Sequence, residues 1–151
     1  MLGEKWTVYW NEYASDTYLF GSQITFHQKD DVEFRNLLMP PGTIIKQWYS
    51  KTNFQMQKME PTLPIIDGES EYQITLNIDT EENEYCLARL IFYERYGGEA
   101  GTLVLRDKVT NFRCPLKTYS YALQLINGGV TKLHFHSVVI QEVIDETKET
   151  T

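Results

Sequence analysis

The segment that most constrains the fold lies near the end of the chain and reads YSYALQLINGGVTKLHFHSVVI, residues 119–140. Apolar and polar side chains alternate on both sides of Asn127-Gly128-Gly129. Before this turn, one face is made by Tyr119, Tyr121, Leu123 and Leu125. After it, one face is made by Leu133, Phe135, Ser137 and Val139. Because successive side chains of a strand point to opposite faces, this period of two predicts two half-buried strands. Asn-Gly is typical of the tight turn that joins two paired strands. We therefore expect a β-hairpin that forms part of the frame of a sheet.

Shorter segments with the same alternation precede this one, separated by residues typical of turns. Strands are predicted over residues 6–10, 18–27, 32–36, 43–50, 71–79, 85–95, 102–106 and 109–113. Pro61 and Pro64 make residues 51–66 a long connection rather than a helix, since proline interrupts helical hydrogen bonding. Many short strands with turns between them, and no long segment with a helical period, predict an all-β fold. The architecture we expect is an antiparallel β-sandwich, most simply a jelly roll.

Length and charge limit the kind of protein this can be. The 151 residues suit one domain, predicted over residues 1–143 and followed by a polar, disordered tail at 144–151. A net charge of −7 without a basic cluster would repel phosphate backbones and anionic membrane surfaces, so nucleic acid is not an expected partner. The N-terminus lacks the features of a secretion signal, and no apolar run approaches the roughly 20 residues that span a bilayer. We expect a cytoplasmic protein with no integral membrane segment.

Histidines and cysteines are the first residues to examine for a metal site. His134 and His136 point the same way on one strand, but zinc usually takes a third and a fourth ligand, and the only other histidine is His27. Cys86 and Cys114 form neither a CxxC motif nor a disulfide framework, which fits reduced thiols. The sequence leaves open whether these two cysteines are neighbours. We interpret the histidines as polar strand residues and expect neither a metal nor a cofactor.

The sequence carries no catalytic motif. A GxSxG nucleophile elbow and a glycine-rich phosphate loop before a helix are both absent. Acidic residues fall mostly in runs between predicted strands, where solvated turns explain them better than a catalytic pair of carboxylates does. We therefore predict that this chain is not an enzyme. One alternative stays open, since a cupin-type metalloenzyme on a jelly-roll scaffold could use the His134–His136 pair.

Ten tyrosines and three tryptophans favour a different role. Sugar rings stack on flat aromatic side chains, while nearby amide and guanidinium groups bind their hydroxyls. A β-sandwich with surface aromatic residues is therefore suited to bind carbohydrate, and core packing is the alternative explanation for each ring. Trp48 and Tyr49 are adjacent on a predicted strand, so one of the two can face solvent. The predicted carbohydrate contacts, chosen by residue type and proximity to loops, are Trp10, Asn11, Trp48, Tyr49, Asn53, Arg95 and Tyr96.

A series of segments from residue 6 to residue 143 carries a resemblance to a known family. In order, these segments are FGSQITF, LMPPGTIIKQWYS, EPTLPII, YQITLNI, LARLIFYERYGG and the segment 119–140. The most specific residues are Met39, Pro40, Pro41, Gly42, Trp48 and Ser50 in the second segment, and Pro61, Leu63 and Pro64 in the third. The chain resembles the smallest of the three accessory secretory proteins of the accessory Sec system. That system exports glycosylated serine-rich adhesins in Gram-positive bacteria.

The resemblance implies a function that the residues alone do not give. It implies a cytosolic subunit that resembles carbohydrate-binding modules and assembles with two larger accessory secretory proteins and an export motor ATPase. The complex would engage adhesin that carries N-acetylglucosamine (GlcNAc), and this subunit would bind and scaffold without enzymatic activity. A stand-alone carbohydrate-binding module is the alternative of the same chemical kind. The jelly-roll metalloenzyme with His134 and His136 is the alternative of another class.

Overall fold

The computed structural model describes residues 2–10, 17–50, 63–64, 66 and 68–144. These ranges contain ten strands and no helix: β1 (Leu2–Val8), β2 (Gln23–Gln28), β3 (Asp31–Arg35), β4 (Ile44–Tyr49), β5 (Glu71–Thr80), β6 (Cys86–Tyr93), β7 (Glu99–Leu105), β8 (Val109–Arg113), β9 (Ser120–Asn127) and β10 (Lys132–Val143). The described part of the chain thus has no helix that could cross a membrane. The predicted all-β fold is confirmed. Only Ile144 of the predicted tail is among the described residues, so the domain boundary after residue 143 stays a prediction.

The strands form two antiparallel sheets, as the predicted β-sandwich requires. The larger sheet has the order β2-β3-β10-β5-β8, with β1 as a second partner of β10. The smaller sheet has the order β4-β9-β6-β7. Strand β10 pairs with β5 from Leu133 to Val143, while its other edge pairs first with β3 and then with β1. This long strand therefore fixes the position of every neighbour in the larger sheet.

The core lies between the two sheets and is built by alternate residues of the central strands. Its largest fully buried side chains are Phe34, Phe135, Ile45, Ile74, Leu90, Leu105, Leu123, Leu125, Leu133, Ile140, Val32 and Val138. Burying one such side chain stabilises a fold by about 1.5–3 kcal/mol. The central strand β10 contributes four of these side chains and β9 contributes two, which agrees with a role as frame.

The predicted hairpin at residues 119–140 is wrong, although both of its strands exist. β9 lies in the smaller sheet between β4 and β6, whereas β10 lies in the larger sheet, so the two strands do not pair. Gly129 has a positive φ of 116°, but Asn127 and Gly128 do not have the positive φ that a tight hairpin turn needs. Instead, the Asn127 side chain accepts from the N–H groups of Gly129 and Val130 and turns the chain from one sheet to the other.

The predicted alternation within β10 also holds only as far as Phe135. A β-bulge lies between Phe135 and Ser137, where the pairing with β5 shifts by one residue. Such an extra residue reverses the face on which the following side chains lie. Leu133 and Phe135 therefore face the core before the bulge, and Val138 and Ile140 face it afterwards. The prediction that Val139 shares a face with Leu133 and Phe135 is wrong for this reason.

The predicted strand over residues 18–27 begins only at Gln23. Before it, the chain makes a turn in which the Ser22 N–H donates to the Leu19 carbonyl oxygen at 3.0 Å. Gly21 has a φ of 73°, a left-handed conformation that side chains with a Cβ rarely adopt. This turn leaves Leu19 and Phe20 at the surface instead of on a strand.

Candidate functional site on the smaller sheet

Two of the predicted carbohydrate contacts, Trp10 and Trp48, lie in the core. Their side chains are only 3% and 2% exposed. Trp48 stacks on Phe135 with ring centroids 5.2 Å apart, and Trp10 meets the Trp48 ring edge-on at 6.2 Å. Trp10 also packs on Phe34 at 5.6 Å. Rings enclosed in this way cannot stack on a sugar, so the prediction of a surface role for these two tryptophans is wrong.

The structure does not bring the other predicted contacts together in one site. Tyr49 is half-buried and lies on the outer face of β4, because its neighbour Trp48 faces the core. Arg95 and Tyr96 are exposed in the turn between β6 and β7. Strand β9 separates β4 from β6, which places Tyr49 about 10 Å across the sheet from β6. Asn11 and Asn53 lie outside the described residues.

A row of polar side chains crosses the outer face of the smaller sheet. Gln47 of β4, Gln124 of β9 and Arg89 of β6 are opposite one another in the strand register. The Arg89 guanidinium donates through Nε to the Gln124 Oε1 at 2.9 Å, and through Nη2 to the same oxygen. The Gln124 amide in turn donates through Nε2 to the Gln47 Oε1 at 3.2 Å. The three side chains thus form one hydrogen-bonded row over three strands.

Beside this polar row lies an apolar row that ends in an aromatic ring. Tyr49 is opposite Ala122, and Ala122 is opposite Ile91, so these three side chains share the outer face with the polar row. Ala122 and Ile91 are buried and form the apolar middle of this row. Tyr93 is two residues beyond Ile91 and is half-buried on the same face. An amide row, an apolar floor and two phenol rings are the groups that a sugar ring can use.

Sequence reasoning missed Gln47, Arg89 and Gln124, although a signal was present for two of them. Arg89 interrupts the apolar run LARLIF, and Gln124 interrupts YALQLI. A polar residue inside an apolar strand needs a hydrogen-bond partner when it is buried, and Gln124 is only 5% exposed. That the partners would be each other could be known only from the strand order.

His134 and His136 lie on the outer face of the larger sheet, where carboxylates hold their rings. His134 Nδ1 is 2.9 Å from the Asp31 carboxylate, and His136 Nε2 is 2.9 Å from that of Asp79. The His27 ring stacks on His134 at 6.3 Å. A cupin-type site needs these ligands inside the barrel, so the geometry does not fit the alternative of a jelly-roll metalloenzyme. Among the residues the structure describes, no group of three or more potential ligands is arranged to hold a metal.

The hydrogen bonds of His136 predict a pH-dependent contribution to stability. Its Nδ1–H donates to the Asp30 carbonyl oxygen at 2.8 Å, and this bond, with the bond to Asp79, raises the pKa of His136 above its ordinary value of 6.5. A group with a raised folded-state pKa stabilises the fold fully below its unfolded-state pKa and loses that contribution as the pH rises through the folded value. Conversely, the hydrogen bond from His134 lowers the pKa of Asp31, whose contribution is lost only at acid pH.

We expect His136→Gln to reduce the melting temperature more at about pH 5.5 than at about pH 8.5. His27→Gln is the matched control, because the shortest distance from its ring to a carboxylate is 3.7 Å, to Glu33. Melting curves of the three proteins at both pH values measure the effect. An equal loss for His136→Gln at the two pH values would contradict a raised pKa.

The two cysteines are free thiols and lie in different sheets. Cys86 begins β6 in the smaller sheet, and Cys114 follows β8 in the larger one. Burial raises the pKa of the Cys86 thiol to about 11, so this group stays protonated at neutral pH. A protonated thiol is a poor nucleophile, which makes the half-buried Cys86 an unsuitable catalytic residue.

Comparison with known proteins identifies the family. Residues 17–142 match the family described as "Accessory Sec secretory system ASP3". The chain belongs to this family. It is 36% identical over 131 residues to the family's accessory Sec system protein from Streptococcus gordonii, covering 87% of this chain and 82% of that protein. It is 28% identical over 136 residues to the protein of the same name from Staphylococcus aureus, covering 90% of this chain and 42% of that protein. The resemblance stated from the sequence is therefore confirmed.

Two solved structures match the fold closely. A structure of accessory secretory proteins 1, 2 and 3 from Streptococcus pneumoniae contains a chain that matches with a TM-score of 0.86 and 27% identity, over 95% of this chain and all of that one. The Gap123 glycosylation-associated complex of Streptococcus agalactiae gives the same TM-score at 29% identity, over 95% of this chain. This chain spans 46% of that chain, less than half of its length.

A more distant match concerns the fold alone. The CBM22 and GH10 modules of a Clostridium thermocellum xylanase, solved with xylohexaose, match with a TM-score of 0.52 at 12% identity over 85% of this chain. The sandwich is therefore of the kind found in carbohydrate-binding modules, as predicted from the sequence. At this identity the match carries nothing about ligands.

Proposed function

We propose that this protein is a non-catalytic scaffolding subunit that assembles in the cytoplasm with two larger accessory secretory proteins. One observation supports the proposal most strongly. This protein matches a chain in the structure of accessory secretory proteins 1, 2 and 3 over 95% of its own length and over all of that chain. A sandwich in which both edges of the two central strands, β9 and β10, are paired with other strands is suited to a scaffold. The same proposal includes the export motor ATPase as a further partner of the assembly.

Co-purification tests this proposal directly. We expect tagged full-length protein, co-expressed with accessory secretory proteins 1 and 2 of the same organism, to elute with both in one peak on gel filtration. The export motor ATPase is then added to the purified assembly to test the further contact. Separate elution of the tagged protein would contradict the scaffold proposal.

We also propose that the outer face of the smaller sheet holds GlcNAc-modified serine-rich adhesin. Tyr49 at one end of the apolar row and Tyr93 two residues beyond Ile91 offer phenol rings, and the row of Gln47, Gln124 and Arg89 offers polar groups beside them. Arg89 has five N–H donors and uses two of them on Gln124, which leaves donors for sugar hydroxyls or an acetamido oxygen. Weak contacts repeated along one glycosylated chain give avidity without a tight single site.

Loss of the Tyr49 ring is expected to weaken sugar binding about fivefold. An aromatic contact of this kind contributes about 1 kcal/mol, which corresponds to that change in affinity. NMR titration with a GlcNAc-serine glycopeptide compares wild type with Tyr49→Ala and Arg89→Ala. Tyr85→Ala is the control, since Tyr85 is an exposed tyrosine that precedes β6 at the other end of the strand. Equal affinities for all four proteins would remove this face from consideration.

The same titration, with a Tyr96→Ala variant, tests the turn that holds the remaining predicted contacts among the described residues. Arg95 and Tyr96 lie together in the β6–β7 turn, and Tyr96 is almost fully exposed. If Tyr96→Ala weakens binding while Tyr49→Ala does not, the sugar contacts lie at this turn instead of on the sheet.

A further inference from the structure

Four large apolar side chains gather at one end of the sandwich without burial. Leu19 and Phe20 lie in the connection that leads to β2, and Leu37 and Leu38 in the connection after β3. Their exposed fractions are between 53% and 72%. Single exposed leucines are normal in proteins, but contiguous exposed apolar side chains mark interaction sites. We call these four residues the apolar knuckle.

A buried asparagine holds the two connections of the apolar knuckle together. The Asn36 amide donates through Nδ2 to the Phe20 carbonyl oxygen at 2.8 Å and to the Ser22 hydroxyl at 2.9 Å. Its Oδ1 accepts from the Leu38 N–H at 2.8 Å. Asn36 is only 1% exposed. One side chain thus fixes the backbone on both sides of the apolar knuckle.

Close packing and a turn add to this fixation. A Cβ on Gly21 would lie 3.3 Å from Leu38 Cδ1, so the Leu38 side chain packs directly on the Gly21 backbone. The Asn36 N–H donates to the Thr131 carbonyl oxygen at 2.8 Å and ties the apolar knuckle to the turn that precedes β10. A surface that is already ordered loses little conformational entropy on binding, which favours affinity.

An exposed cation, Arg35, lies beside the apolar knuckle. Arg35 is the last residue of β3, is exposed, and forms no ion pair within the part of the chain that the structure describes. Its cross-strand neighbour Lys132 is shared between Glu33 and Glu81, at 3.8 Å from each carboxylate. Among the described residues, Arg35 is therefore a cation that a carboxylate of a partner can pair with. A complementary partner would carry carboxylates at the corresponding position.

We propose that the apolar knuckle docks this subunit into an apolar pocket, rimmed by carboxylates, on the pair of accessory secretory proteins 1 and 2. The inference rests on the proposed assembly and adds the surface that makes it. Phe20 and Leu38 are the anchors that enter the pocket, and Arg35 pairs with its acidic rim. Apolar anchors at the centre of an interface carry most of the binding free energy, whereas charges at the rim mainly govern association rate and salt dependence.

Binding of the purified full-length chain to the co-purified pair, measured by interferometry, tests the inference. We expect the double substitution Phe20→Ser/Leu38→Ser to weaken affinity at least tenfold and Arg35→Glu to reduce the association rate severalfold at low salt. Leu116→Ser is the matched control, because Leu116 is 67% exposed against 69% for Leu38 and lies beyond the opposite end of β9. Leu37→Ser is a second test that leaves the Asn36 hydrogen bonds in place, should the double variant lower the melting temperature.

The binding and sedimentation results distinguish a wrong docking surface from a wrong assembly. Wild-type affinity in Phe20→Ser/Leu38→Ser and Leu37→Ser, or an equal loss in Leu116→Ser, would overturn the apolar knuckle as the docking surface while leaving the assembly intact. Absence of binding by the wild-type chain would overturn the assembly itself. If sedimentation shows a wild-type dimer that dissociates on Phe20→Ser/Leu38→Ser, the occupant is a second copy of this chain, and the inference fails.

Discussion

Replacing Phe135 by alanine is expected to lower the free energy of unfolding by about 3–5 kcal/mol. The Phe135 ring is fully buried, with centroids 5.2 Å from Trp48 and 5.7 Å from Trp10. Truncation leaves a cavity between the sheets, and β10 cannot move to fill it because strands pair with both of its edges. Since a domain of this size has about 5–15 kcal/mol in total, the variant would lose a large share of its stability.

Urea unfolding followed by tryptophan fluorescence measures this loss, because the two indoles are the direct neighbours of the missing ring. Phe20→Ala is the matched control, since it removes the same side chain from a largely exposed position. We expect the control to change the free energy of unfolding by less than about 0.5 kcal/mol. A loss of similar size in both variants would contradict the central position of Phe135.

Alternation in the sequence located strands well but could not say which strands pair. β8 occupies the predicted residues 109–113, and β5 differs from its prediction by one residue. The period of two reports only which side chains share a face, and β9 and β10 have the same pattern whether they pair or lie in opposite sheets. The turn that separates them depends on contacts between Asn127 and the chain near Pro40, 87 positions away. Such a contact has no local signature.

The same limit explains the outcome for the candidate site. The sequence correctly allowed one of Trp48 and Tyr49 to face outward, because adjacent strand residues alternate. It could not show that Trp10, which follows β1, would close over Phe34 and Trp48. Nor could it place Gln124 between Gln47 and Arg89, since that row exists only when β9 lies between β4 and β6. Local sequence patterns predict which way a side chain points. The order of the strands in the sheet decides which side chains meet in the site.

Replacing Asn127 by alanine is expected to cost about 3 kcal/mol, the second-largest effect, because several buried groups lose their partner at once. The buried Asn127 amide donates through Nδ2 to the carbonyl oxygens of Met39 and Pro40, at 3.2 and 3.0 Å. Its Oδ1 accepts from the Gly129 and Val130 N–H groups at 2.9 and 2.8 Å. Each unsatisfied buried group costs about 1–3 kcal/mol, partly recovered where water enters. Urea unfolding measures the loss, with Asn111→Ala, an exposed position on β8, as the control.

Asn127→Asp then separates the two halves of this hydrogen-bond network. Aspartate keeps the oxygen that accepts from Gly129 and Val130, but it loses the donors and places a carboxylate beside the Met39 and Pro40 carbonyl oxygens. If the amide links the β3–β4 connection to the crossing between the sheets, Asn127→Asp must destabilise the protein at neutral pH at least as much as Asn127→Ala does. If Asn127→Asp is as stable as the wild type, only the hydrogen bonds that Asn127 accepts within the turn contribute to stability. The crossing would then be fixed locally, within the residues that the sequence pattern interpreted as a hairpin turn.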